Sequence, residues 1–211
     1  MKGLIIKDFY LFVSTSKSML LLVAVFAIIF AFYPNDFFII YIVICIGSIV
    51  QSLYSYDEKS GWDKYALTLP YSRTQLVSSK YIFGLLMIVP VDVILVLVTL
   101  FHYGSSKMYM LGILILLSFI PSAFTLPFFF KLGAEKGRIT YIIVVLLMAV
   151  IAGMVFYADG FNSDFGGKAE EFIMSNYDIA VRFTIISCFA GVLIYALSWL
   201  LSIRFYKQRE V

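Results

Sequence analysis

Long apolar runs separated by short polar breaks dominate this sequence. Six such runs occur, at 18–33, 37–54, 81–101, 108–130, 140–157 and 182–203. A helix that crosses the hydrocarbon core of a membrane needs about 20 largely apolar residues, so the short first run is expected to recruit residues before Ser18. The pattern predicts an all-α integral membrane protein with six transmembrane helices in one transmembrane domain, residues 1–211.

The composition agrees with a lipid environment. Hydrophobic residues make up 62% of the chain and charged residues only 14%, with a mean hydropathy of +0.97. Soluble domains carry about a quarter charged residues. Aromatic residues reach 18%, and aromatic rings favour the membrane interfaces at helix ends. These values exclude an ordinary soluble enzyme.

The basic residues set the orientation, because cytoplasmic loops of membrane proteins carry an excess of Lys and Arg. With both termini cytoplasmic, only three of the 16 basic residues lie outside: Lys107, Lys168 and Arg182. The outer segments are acidic, through Asp36, Asp159, Asp164, Glu170, Glu171 and Asp178. We therefore predict six spans with both ends in the cytoplasm, and an uncleaved first helix.

The amino-terminal stretch, residues 1–16, has the pattern of an amphipathic helix. Ile5, Phe9 and Phe12 share one helical face, and Asp8 adds polarity together with two lysines. Such a helix lies along the inner membrane interface. The alternative, an extension of the first span, also fits the pattern.

The inner segment 55–80 is predicted to be structured. Four residues recur at the spacing of one helical face: Trp62, Tyr65, Ala66 and Leu69. Pro70 ends this helix, and Ser72 and Gln75 have the spacing of a capping box that starts a new helix running into the third span. The pattern alone does not decide between a helix that rests on lipid headgroups and one that binds a partner.

The outer segment 158–181 is the longest on its side. Residues 168–177 could form a short helix after a glycine-rich start. We expect an extracellular cap, although a solvated loop that only follows the charge rule explains its acidity as well.

Few residues within the predicted spans are candidates for a function in transport. Asp92 is the acidic residue deep in a predicted span, and such a carboxylate is costly in lipid, so it is expected to face the bundle. Its functional role would be contact with a substrate along a pathway or a proton relay. Its structural role would be a hydrogen bond with a hydroxyl of a neighbouring helix, or a protonated carboxyl held neutral by burial. Pro121 and Pro127 in the fourth span are gating candidates, because proline can kink a helix.

Other chemistry is missing from the sequence. It contains no phosphate-binding loop, no zinc-protease motif and no serine–histidine pairing. The lone His102 is expected at a surface, and Cys45 and Cys188 are expected to be small buried apolar residues. We predict no catalytic residue, no metal site and no cofactor in this chain, and no nucleic-acid partner.

Two stretches resemble the bacterial ABC-2 family of transporter permeases, the membrane subunits of ATP-binding-cassette exporters. The opening residues 1–10, MKGLIIKDFY, are similar to the family's elbow helix before the first span. The run 56–65, YDEKSGWDKY, followed by Leu69-Pro70 and Ser72-Arg73, is similar to its signature after the second span. The resemblance covers essentially the whole chain.

The resemblance implies a role for segment 55–80 as the coupling helix, which docks onto a separate nucleotide-binding ATPase that holds ATP and Mg. Carried over, the docking residues are Trp62, Tyr65 and Leu69 for packing and Asp57, Glu58 and Arg73 for polar contacts. It also implies a second permease copy or paralogue, a bacterial cell-membrane location, an outer gate around Lys168, and a cargo such as an amphipathic or antimicrobial peptide, a drug or a lipid.

Two other classes compete with this interpretation. An ion- or proton-coupled secondary transporter would use Asp92, but such proteins are often built from inverted repeats and none is convincing here. A non-transporting membrane scaffold would not need the aromatic face of segment 55–80. The sequence alone does not identify the cargo.

Overall fold

The computed structural model of the chain describes residues 1–15, 17–32, 36–103, 108–161 and 177–208. Over those ranges every regular element is an α-helix: α1 (Lys2–Thr15), α2 (Lys17–Phe32), α3 (Asp36–Lys59), α4 (Trp62–Ala66), α5 (Arg73–Tyr103), α6 (Met108–Leu132), α7 (Ala134–Phe161) and α8 (Tyr177–Gln208). Each predicted apolar run lies in one of these helices, apart from Tyr33. The helix predicted at 168–177 lies outside the described residues, except for its last residue.

Three of the described helices are long and apolar enough to cross a membrane. The qualifying stretches are Arg73–Phe101 in α5, Leu111–Leu132 in α6 and Val181–Gln208 in α8. These stretches differ in burial: 61% of the most apolar part of α6 is buried, against 28% in α5 and 22% in α8. The helix α6 is therefore the centre of the bundle, and α5 and α8 lie at its periphery.

The helix α6 packs most extensively against α8, and it also contacts α3, α5 and α7. Glycine makes the close approach to α8 possible, since a Cβ at Gly112 would lie 2.9 Å from the Thr184 Cα. Between α5 and α8, the buried Tyr81 hydroxyl hydrogen bonds to Ser198 and Ser202, at 2.7 and 2.6 Å. These polar contacts fix α8 against the core, because a buried hydroxyl is costly unless it is hydrogen-bonded.

Large apolar side chains cover the outside of the bundle. Leu97 on α5, Leu146 on α7 and Phe189 on α8 are among the many that are more than half exposed. A contiguous apolar surface of this extent is unfavourable in water and favourable against lipid tails. The exposed faces therefore agree with a membrane protein.

The burial of one residue of α1 differs from the prediction. Leu4, Asp8 and Phe12, one turn apart, form the buried side of the helix, whereas Phe9 is 53% exposed. Asp8, expected to supply surface polarity, is completely buried. The reason is a buried cation from α5, described below, which the local pattern of α1 does not reveal.

The helix α4 is shorter than predicted. It spans only Trp62–Ala66, and residues 67–70 form turns with Thr68 and Leu69 donating backbone hydrogen bonds three residues back. Gly61, with φ of 69°, makes the sharp break after α3 in a region that favours glycine. The capping box is confirmed: the Ser72 amide donates to Gln75 Oε1 at 3.0 Å, and the Gln75 amide donates to Ser72 Oγ at 3.2 Å.

Candidate functional site

The candidate site is the α4 segment, residues 60–72, together with the helix ends that hold it. Within it Ala66 is fully buried, and Trp62 and Leu69 are half-buried. Tyr65 is 58% exposed and lies beside Trp62, with ring centroids 5.6 Å apart. The inner side of the segment thus packs on the bundle, and Tyr65 gives its outer side an aromatic surface.

Four charged residues meet at the base of the α4 segment: Lys7 and Asp8 of α1, Asp57 of α3 and Lys80 of α5. We call them the ion cluster. The Lys80 ammonium lies 2.5 Å from Asp57 Oδ2 and 2.7 Å from Asp8 Oδ1. The Lys7 ammonium lies 2.7 Å from Asp57 Oδ2 and 3.1 Å from Asp8 Oδ1. Each cation therefore contacts both anions.

Three of the four members of the ion cluster are buried. Asp8 is 0% exposed, Asp57 4% and Lys80 6%, whereas the Lys7 side chain is 26% exposed. Removing an ion from water costs several kcal/mol, so buried charges persist only when they are well paired. Two ammonium groups and two carboxylates balance here, and the cluster joins α1, α3 and α5 at one point.

Trp62 extends the ion cluster to α4. The Lys7 Nζ atom lies 4.5 Å from the centroid of the Trp62 ring. A cation over an aromatic face is stabilised by about 0.5–2 kcal/mol, depending on solvation. The same ammonium group therefore contacts α3 through Asp57 and α4 through Trp62.

Glu58 ties the end of α3 to the start of α7. Its carboxylate accepts a hydrogen bond from the backbone amide of Ala134, the first residue of α7. The first amides of a helix have no partner within the helix, and the helix dipole favours an anion there. Glu58 therefore acts as a cap that is supplied from a different helix.

Arg73 makes the complementary contact at the end of α8. Its guanidinium donates to the carbonyl oxygens of Tyr206, at 3.3 Å, and Lys207, at 3.1 Å. The last carbonyls of a helix lack partners within the helix and attract cations. Arg73, directly after the α4 segment, thus holds the carboxyl end of α8.

These contacts bear on the docking residues that the resemblance implies. Trp62, Tyr65 and Leu69 lie on the α4 segment. The side chains of the three polar candidates, Asp57, Glu58 and Arg73, are directed to other helices of the same chain. Their role at a dock stays a prediction, and their observed role is to position the segment.

Three members of the ion cluster could not be recognised from the sequence pattern. Lys7 and Asp8 have the pattern of polar residues on an amphipathic α1, and nothing near Lys80 in the sequence indicates its partners. One signal was available for Asp8, which lies one helical turn from both Leu4 and Phe12 and so shares their face. Lys80 directly precedes an apolar run, which is a weaker signal.

Asp92 lies on the inner side of α5 and is half-buried. The buried Ser118 hydroxyl of α6 donates to Asp92 Oδ2 at 2.8 Å. This is the arrangement expected for a structural partner of a neighbouring hydroxyl, and it also leaves Asp92 beside the central helix. Its role in a pathway stays a prediction.

Pro121 and Pro127 are both buried in α6, which is continuous through them. A Cβ at Gly47 of α3 would lie 2.9 Å from the Pro121 Cβ, so α3 packs closely at this point. Thr125 donates to the Pro121 carbonyl at 2.6 Å. Gating at these prolines stays a prediction.

The remaining polar candidates carry no site in the described part of the chain. No group of three metal-ligating side chains occurs among the described residues. Cys45 is half-buried, but Cys188 is exposed on α8, so its predicted burial is wrong. Its neighbours on this exposed side of α8 are apolar, with Ile185 51% and Phe189 69% exposed, and a free cysteine behaves as a small apolar residue among them. The placement of the His102 side chain lies outside what the structure describes.

A family profile described as "ABC-2 family transporter protein" matches residues 3–207, which takes in the ion cluster and all of the helices except the first residue of α1 and the last residue of α8. No curated protein and no solved structure matches the chain.

Proposed function

Because this chain belongs to the ABC-2 family of transporter proteins, we propose that it is the permease subunit of an ATP-binding-cassette exporter. In this proposal six helices span the bacterial cell membrane with both termini in the cytoplasm, and α1 is the elbow helix at the inner interface. Two permease chains form the substrate pathway, and a separate ATPase subunit binds ATP and Mg. The chain itself performs no catalysis.

The contacts of the α4 segment support the orientation. Asp57 with Lys80, Glu58 with Ala134, and Arg73 with the end of α8 bring the ends of α3, α5, α7 and α8 to the same side of the bundle. Basic residues concentrate in these same connections. Since cytoplasmic segments carry the basic excess, the proposal assigns this side to the cytoplasm.

The observation that carries the proposal is the exposed aromatic surface of Tyr65 on a segment that the bundle holds firmly. The α4 segment is fixed at its start by Asp57 and Glu58 and at its end by Arg73 and the capping box. A tyrosine on a rigid support is a good contact for a partner protein, because it contributes large area at small entropic cost. The ATPase is the occupant we propose.

The mechanism follows from this placement. ATP binding closes the ATPase pair and displaces the two α4 segments, and the spans move as rigid bodies from an inward-facing to an outward-facing arrangement. ATP hydrolysis resets them. The α4 segment transmits the motion, so it needs firm attachment to the spans rather than catalytic side chains.

The proposed cargo is an amphipathic molecule, such as an amphipathic or antimicrobial peptide, a drug or a lipid. The surface of the bundle is rich in Phe, Leu and Ile side chains, and Asp92 with Ser118 adds one polar position inside it. A pathway built between two such chains would accept apolar surface more readily than a strongly charged solute.

A photo-crosslinking experiment tests the docking surface. A benzoylphenylalanine is placed at position 65 or at position 101, in cells that produce the chain with its ATPase. Both positions are exposed, but position 65 lies in α4, before the start of α5, and position 101 lies near the other end of α5. The proposal expects an ATPase adduct from position 65 and none from position 101. An adduct from position 101 alone, or from neither position, would contradict it.

A further inference from the structure

We propose that the ion cluster of Lys7, Asp8, Asp57 and Lys80 is the joint that passes movement of the α4 segment to α5 and α1. The inference rests on the proposed function and deepens it, since it names positioning residues that act between the ATPase dock and the spans. None of the four needs to touch the ATPase or the cargo.

The ion cluster joins the end of α3 to the start of α5, the two helices between which the α4 segment lies. Asp57 lies in the last turn of α3 and Lys80 in the second turn of α5, and their side chains meet at 2.5 Å although 23 positions separate them. A force on α4 therefore reaches α3 and α5 together. Without this contact, the turns at 67–70 would absorb part of the displacement.

The ion cluster also includes α1. Lys80 contacts Asp8, and Lys7 contacts Asp57 and stacks on Trp62. The described helix α1 contacts α5 more than it contacts α2. Motion of α5 is therefore coupled to α1 through two ammonium groups that each bridge two carboxylates.

The ion cluster contains one acceptor that its observed pairing leaves unused. Asp8 Oδ2 is buried and accepts no hydrogen bond within the described part of the chain. An unused buried acceptor is costly, and it lies on the carboxylate that Lys80 already contacts. A small displacement of α5 would let the ammonium engage this oxygen, which gives the joint two discrete arrangements, as a transmitting element requires.

The test uses the complex of the chain with its ATPase in lipid nanodiscs. Hydrogen exchange of peptides from α5 is compared between the nucleotide-free complex and the complex trapped with ATP and vanadate. The variants are Asp8→Asn, which removes one charge, and Asp8→Asn/Lys80→Gln, which restores charge balance with neutral hydrogen-bonding groups. Lys2→Gln, an exposed lysine of α1, is the matched control.

The double variant separates transmission from folding. It leaves no unbalanced buried charge, so it is expected to fold and to hold the ATPase like the wild type, yet to lose most of the nucleotide-dependent exchange difference in α5. Lys2→Gln is expected to keep the full difference. If the double variant keeps the full nucleotide-dependent exchange difference in α5, the ion cluster does not transmit the movement and the proposal is overturned.

The wild-type arm tests the proposed function separately. A wild-type complex that does not form, or that shows no nucleotide-dependent difference in α5, would overturn both the proposed function and the joint. A wild-type difference that survives in the double variant would overturn the joint alone. If the double variant loses the ATPase itself, the ion cluster serves the stability of the dock and the transmission role is rejected.

Discussion

Lys80 on α5 and Asp8 on α1 form an ion pair of 2.7 Å although 72 positions separate them in the chain. Both residues are buried, at 6% and 0% exposure. The pair is one edge of an ion cluster in which two lysines and two aspartates contact one another. It joins the amino-terminal helix to the base of the proposed docking segment.

The first prediction concerns stability. Asp8→Ala removes one anion and leaves the buried Lys80 and the partly exposed Lys7 with a single carboxylate between them. The expected loss is about 3 kcal/mol, at the lower end of the range for breaking a buried ion pair because Lys7 reaches solvent. The readout is the midpoint of thermal unfolding in detergent. Lys2→Ala, at an exposed position of the same helix, is expected to change stability by less than about 0.5 kcal/mol. Equal midpoints for the two variants would contradict the buried ion pair.

The second prediction concerns the contact between α6 and α8. Gly112→Ala would place a Cβ 2.9 Å from the Thr184 Cα, and a backbone atom cannot move aside as a side chain can. The expected loss is about 1–3 kcal/mol, typical of overpacking. Gly3→Ala, whose Cβ would meet the Tyr71 hydroxyl at an ordinary 3.4 Å, is the control. An unchanged unfolding midpoint for Gly112→Ala would mean that the two helices are further apart.

The third prediction concerns Arg73. Arg73→Met removes the donors to the Tyr206 and Lys207 carbonyls, so the last turn of α8 is expected to fray. Its amides should exchange faster in hydrogen-exchange measurements, with a stability loss of about 1 kcal/mol. Arg73→Lys should keep part of the protection because a cation remains near the helix end. Identical exchange rates in wild type and Arg73→Met would contradict a capping role of Arg73 at the end of α8.

The fourth prediction separates the roles of Asp92. Asn at this position can still accept the Ser118 hydroxyl, so Asp92→Asn is expected to retain stability, whereas Ser118→Ala loses the bond at a cost of about 1–3 kcal/mol. ATPase activity of the complex should be unchanged in Asp92→Asn. A secondary transporter would need the carboxylate to titrate, so loss of proton-driven transport in Asp92→Asn, with no ATPase bound, would favour that alternative.

Local signals predicted the helices well. Apart from Tyr33, each apolar run lies within a helix. A helix satisfies its backbone hydrogen bonds between residues four positions apart, so an apolar run can form one without a distant partner. The capping box of Ser72 and Gln75 was predictable for the same reason, since both partners lie within one turn. The end of α4 was not, because turn geometry at 67–70 competes with the helical spacing of Leu69.

Long-range electrostatics could not be predicted from the pattern. Asp8 has the polarity of a surface residue in the sequence of α1, and only the position of α5 reveals that Lys80 neutralises it. Asp57, Glu58 and Arg73 were expected at a partner surface, yet their side chains contact other helices of the same chain. Charged residues in the connections thus shape the site from within, and which helix end each one meets depends on the whole fold.

Docking of an ATPase on the α4 segment is tested by co-purification in detergent with nucleotide-binding ATPase subunits produced in the same cells. Wild type is compared with Tyr65→Glu/Leu69→Glu, with the conservative Tyr65→Phe, and with Lys2→Glu as a control at an exposed position, and ATPase activity is recorded for each. If the α4 segment is the dock, wild type and both controls retain an active ATPase and Tyr65→Glu/Leu69→Glu loses it at unchanged expression. If the wild-type chain retains no ATPase, or the double variant retains it fully, the account of a permease docked through the α4 segment is contradicted.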